Sequence, residues 1–121
     1  MLQGRASTAK RAKPTILEAV QIVTVKHIVL FTLKNGIDID DARVQQAAMF
    51  SASHVDNIAD IRSWETGFDI GRRRAVSADF AVIGTFSDTD AVARYLMHPH
   101  HRDGVAKWRE IARWTVIDLE Y

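Results

Sequence analysis

The chain has no cysteine, only two prolines in 121 residues, and no long apolar run. Without cysteine, disulfides, thiolate nucleophiles and cysteine-ligated zinc or iron–sulfur sites are excluded. The lack also suits a reducing cytoplasm, where we expect the protein to work. No hydrophobic stretch approaches the roughly 18–20 residues that a transmembrane helix needs, so no membrane partner is expected. A strong charge of one sign is missing too, since the net charge is +1. Residues 1–24 hold four basic side chains (Arg5, Lys10, Arg11, Lys13) against Glu18 alone, which leaves twelve basic and fourteen acidic residues in 25–121. The body is slightly acidic, so the field of a nucleic-acid binder is absent. Phosphate-cradling glycine motifs and a GxSxG nucleophile elbow are absent as well.

What is present reads as one small globular domain: 47% hydrophobic and 26% charged residues are ordinary values for a folded protein. Residues 1–24 form an N-terminal extension, flexible in part, and residues 25–121 the domain. Residues 1–13 are small, polar and basic, and Pro14 suits the first turn of a short helix. Ile22 to Leu33 reads as a strand. Val25, His27, Val29, Phe31 and Leu33 share one face, while Lys26, Ile28, Leu30 and Thr32 share the other. Asn35-Gly36 turns the chain, Asp38 or Asp40 caps a helix, and helical spacing runs from Asp41 to about Ala59 with a break near Ser51-Ala52-Ser53. Ile61 to Ile70 and Asp79 to Phe86 read as strands, joined by the polar Arg72-Arg73-Arg74 loop. Ser87 caps a helix that stops at His98-Pro99. A further helix from about Arg102 to Arg113 and a strand from Trp114 to Tyr121 complete a β-α-β-β-α-β order.

That order is the ferredoxin-like α+β fold, whose helices cover only one face of a four-stranded sheet. We expect the bare face to carry Val29, Phe31, Phe80 and Val82. Each such side chain is worth roughly 1.5–3 kcal/mol when buried. A patch of that size asks for cover, and a second copy of the same sheet supplies it, giving a homodimer.

Four features bear on chemistry. Tyr95-Leu96-Met97-His98-Pro99-His100-His101 crowds imidazoles at a helix end. Histidine moves protons near pH 7, and a tyrosine hydroxyl stabilises a developing oxyanion. The plainer reading is a helix C-terminus held by cationic histidines beside a packed tyrosine. His27 is alone in an apolar strand, as a core, interface or catalytic histidine. Asp118 lies among Val116, Ile117 and Leu119, either in water at an edge or paired with His27 or His101. The Arg72-Arg73-Arg74 run suits a carboxylate or phosphate, or simply a solvated loop. Of the clustered histidines only His98 and His101 are placed to converge, too few for a metal site.

Val25-Lys26-His27-Ile28-Val29-Leu30-Phe31, Phe86-Ser87-Asp88, the Tyr95–His101 segment and Val116-Ile117-Asp118 resemble the stress-responsive A/B barrel (Dabb) family. The resemblance spans about residues 24–121. It implies a ferredoxin-like protomer dimerised into an α+β barrel. Most members have no assigned reaction, while some plant members are polyketide cyclases or hydroxynitrile lyases that use a Tyr/His pair in the barrel cavity. The cyclase tyrosine and final histidine fall on Tyr95 and His101, the strand-one histidine on His27 and the last-strand aspartate on Asp118. A further cyclase histidine is Phe80 here, and the family's proline-glycine before the second strand is replaced by Asn57-Ile58-Ala59-Asp60.

The expectation is therefore a cofactor-independent enzyme acting on a small hydrophobic carbonyl compound, with Tyr95 and His101 catalytic. The ligand would lie against Val29, Phe31, Phe80 and Val82, with His27 and Asp118 orienting the reacting groups. The alternative is a non-catalytic stress-responsive or ligand-binding dimeric barrel.

Overall fold

The computed structural model describes residues 24–71, 73 and 75–120. Expectations for residues 1–23, including the helix after Pro14 and the start of the first strand, lie outside the described residues, as do Arg72 and Arg74. The element order is β1 (Val25–Leu33), α1 (Ala42–Ala52), α2 (His54–Asn57), β2 (Ser63–Phe68), β3 (Phe80–Phe86), α3 (Thr89–Met97), α4 (Pro99–Arg109) and β4 (Ala112–Glu120). The strands form one antiparallel sheet in the order β2-β3-β1-β4. This is the ferredoxin-like arrangement, with both helical connections on one face and each broken once. Among the described residues no helix is long and apolar enough to cross a membrane.

The breaks have local causes. α1 is capped by Asp41, not by Asp38 or Asp40, because the Asp41 carboxylate is the one that accepts the Arg43 amide at 2.9 Å. It stops where Ser53 turns its hydroxyl back onto the Phe50 carbonyl, at 2.6 Å. α3 starts one residue later than expected, since Asp88 rather than Ser87 accepts the Ala91 amide at 2.8 Å. Pro99 ends α3 and also opens α4, three residues earlier than Arg102. At the first helical position its missing N–H and fixed φ cost nothing, and the His98 ring caps the new helix by accepting the His100 amide at 3.0 Å.

One expectation is overturned. Val29, Phe31, Phe80 and Val82 do not lie on the bare face of the sheet; they are buried in the core under the helices with Val44, Ala47 and Trp108. The bare face carries the other set: Ile28 beside Ile83 and Ile117, with Leu30 and Leu119 on the same side. Leu30, Ile117 and Leu119 are exposed. β1 is apolar on both sides, so alternation by itself did not say which side the helices take. The bulky aromatics decide it. Phe31 stacks on Trp108 of α4 with ring centroids 4.3 Å apart, and Phe80 on the same indole at 5.2 Å.

Candidate functional site

β1 projects His27, Val29 and Phe31 toward the helices, and the β4 residues paired with them are Asp118, Val116 and Trp114. α3 and α4 cross above, bringing Tyr95 and His101. Between these layers lies a cavity of about 180 Å³. Val29, Phe31, Val82, Trp108 and Trp114 form its apolar wall, and His27, His54, Tyr95, His101 and Asp118 its polar one. Ser51 closes one end, its hydroxyl accepting the Trp108 indole N–H at 2.8 Å and its carbonyl the Trp64 indole N–H at 3.0 Å. Phe80, expected against a ligand, is not part of the lining; it packs behind Phe31 and Trp108.

Tyr95 and His101, separated by the Pro99 break, stand with ring centroids 4.4 Å apart. The Tyr95 ring is 2% exposed, and no group among the described residues takes a hydrogen bond from its hydroxyl. A buried hydroxyl left without a protein partner is uncommon, and this one belongs to a cavity wall. Burial, then the negative charge of Asp118, pushes the phenol pKa up, so Tyr95 stays a neutral donor. His101 places Nδ1 3.1 Å from the Leu96 carbonyl. A carbonyl only accepts, so Nδ1 carries the proton and Nε2 keeps a basic lone pair. Burial lowers the His101 pKa, the Leu96 hydrogen bond opposes that, and the His27 and His98 charges lower it further.

His27, 2% exposed, donates from Nδ1 to the Asp118 carboxylate at 2.6 Å. Both readings of Asp118 hold at once, since it sits on an edge strand at 44% exposure and is still paired. The carboxylate fixes the His27 tautomer, as in other carboxylate–histidine pairs. The His27 ring lies 5.4 Å from the Tyr95 ring, edge-on.

Sequence reasoning missed His54. It is 4% exposed and lies on the inward stripe with Val44, Ala47, Ser51 and Ile58, whereas its apolar neighbour Val55 is exposed. Helical spacing alone would have found it. A preference for apolar residues on inward faces hid it. His54 pairs with His100, and His98 turns away to cap α4, so the expected meeting of His98 and His101 gives way to a different pair. Burial, helped by the charges of His100, His101 and His98, pushes the His54 pKa down to about 3. Between about pH 6.5 and that value the unfolded chain binds a proton at this position and the folded one does not, so stability falls as pH falls. We expect about 2 kcal/mol to be lost between pH 7.5 and pH 5 through this group. Urea unfolding at the two pH values should show the loss, and His54→Gln should reduce it; an equal loss in the variant would mean other groups cause it.

Residues 25–121 match the model of the Stress responsive A/B Barrel Domain. An uncharacterized protein of Streptomyces coelicolor is 39% identical over 97 residues, covering 80% of this chain and 99% of that relative. The chain belongs to the stress-responsive A/B barrel family. A dimeric, ferredoxin-like protein of unknown function from Bacteroides fragilis superposes with a TM-score of 0.73 at 24% identity, over 81% of this chain and 96% of its own. The hydroxynitrile lyase of Passiflora edulis does so at 0.69 and 17% identity, over 81% and 93%. These likenesses agree on the Dabb protomer fold.

Proposed function

We propose that this Dabb protein is a homodimeric, cofactor-independent acid–base enzyme for a small hydrophobic carbonyl compound. The observation that carries the reading is the buried Tyr95 hydroxyl, without a hydrogen-bond partner among the described residues, beside a histidine whose Nδ1 is tied to a backbone carbonyl. A ligand oxygen accepts from Tyr95, and Nε2 of His101 removes a proton α to that carbonyl or from a hydroxyl. His27, held by Asp118, borders the same space and orients the ligand edge. The apolar wall suits one ring: a cavity of about 150 Å³ accommodates benzene in another protein. Aldol-type cyclisation and carbon–carbon bond cleavage both begin with such a proton transfer. The likeness to a hydroxynitrile lyase supports this class of chemistry.

The test is deuterium wash-in at the methyl group of acetophenone, followed by NMR in heavy water. Wild-type protein should exchange that position well above the buffer rate. Acetophenone that binds without exchanging would favour a ligand-binding protein, and a protein that neither binds nor exchanges any small aryl ketone overturns the reading.

A further inference from the structure

His54 and His100 do more than fill space. Their Nδ1 atoms are 2.7 Å apart, so one ring must donate its proton to the other. His54 lines the cavity with Tyr95 and His101, its ring centroid 6.2 Å from the first and 5.8 Å from the second. A single ligand oxygen or water bridges such a gap. His100 is half-buried and stacks flat on Phe50, with centroids 4.2 Å apart and planes 8° apart. Its backbone amide is held by the His98 ring. The other edge of His54 has room because residue 104 is glycine. A Cβ there would lie 2.9 Å from Cε1 and 3.0 Å from Nε2 of His54. Two rings thus run from the cavity wall toward the protein surface, each fixed in place.

The geometry points to a proton relay, in which His54 and His100 carry protons between the cavity and bulk water. The relay deepens the acid–base reading and rests on it for its purpose. His54 starts with its proton on Nδ1, donated to Nδ1 of His100, whose own proton is on Nε2. A proton released in the cavity adds to Nε2 of His54. The Nδ1 proton then moves to His100, and the Nε2 proton of His100 leaves to water. One proton has crossed, neither ring has kept a charge, and the reverse passage restores both tautomers. The lowered pKa of His54 fits this role, because the ring passes a proton on rather than storing it.

Two measurements test the relay. In the full chain with nitrogen-15 histidine, a downfield N–H shared by the two rings should be visible in water. His100→Phe keeps the stack on Phe50 but has no nitrogen, so the shared signal should vanish and exchange of the remaining His54 ring proton with water should slow roughly tenfold or more. An unchanged exchange rate, or no such N–H in the wild type, overturns the relay. In the acetophenone assay, His100→Ala should lose roughly tenfold in deuterium wash-in with unchanged acetophenone affinity, and added imidazole should restore the rate. A loss that imidazole leaves in place marks a structural role and also overturns it. If the wild type exchanges no ketone proton, the Tyr95–His101 reading fails, and the NMR measurement still decides the relay.

Discussion

Tyr95→Phe and His101→Ala should each lower ketone exchange by roughly a hundredfold or more, because one loses the donor to the oxyanion and the other the base. That factor corresponds to about 2.7 kcal/mol of transition-state stabilisation for each change. The double variant should lose far less than the product of the two, since a donor and a base acting on one ligand fail together. Neither change should disturb the fold much. Removing the hydroxyl leaves the Tyr95 ring in its packing against Phe86 and Trp64, and a ring-sized gap at His101 opens into an existing cavity. Circular dichroism and the melting temperature check that the loss is chemical. A variant of either kind that retains half the wild-type rate would remove the pair from the mechanism.

Charging the bare face of the sheet should separate the proposed dimer. Ile28 stands at the centre of that face, paired across the sheet with Ile83 on one side and Ile117 on the other. Against a second copy, an aspartate there would bury an unpaired carboxylate, and twofold symmetry counts the change twice. Ile28→Asp should therefore weaken self-association by roughly a thousandfold or more, giving monomer in sedimentation velocity at micromolar concentration. The Ile28 side chain stays on the open side of the protomer, so the monomer should remain folded. Val29→Asp makes the contrast: one position along, it faces the core under α4 and should unfold the protomer. A wild-type protein that sediments as a monomer at tens of micromolar would sink the barrel arrangement.

The sequence was informative wherever a local rule forces one outcome. Alternation of side chains marks β1, β3 and most of β4, although the helical spacing before β4 reads on through Ala112 and Arg113, which are the first two residues of that strand. Pro99 disfavours helical backbone at His98, so the turn that brings Tyr95 and His101 to one wall was legible. Asp118, inside an apolar strand, reads either as an edge carboxylate in water or as paired with His27 or His101; it is half-exposed and His27 is its partner. These follow from backbone sterics and from the cost of leaving charge unpaired, and both are properties of short segments.

Other features depend on what arrives from elsewhere in the chain. Which face of β1 meets the helices was settled by the fit of Phe31 and Phe80 around Trp108, a contact between residues far apart in sequence. Asp41 rather than its neighbours caps α1, and Asp88 rather than Ser87 caps α3, because a cap depends on where a carboxylate lands relative to one amide. His54 became a cavity residue through the glycine at 104 and the ring of His100, both brought to it by α4. The sequence by itself determined the strands, the helices and their order, since these rest on local stereochemistry and periodicity. Only the tertiary structure decided which face is core, which histidines meet and where the cavity lies, because those depend on shape complementarity between distant segments.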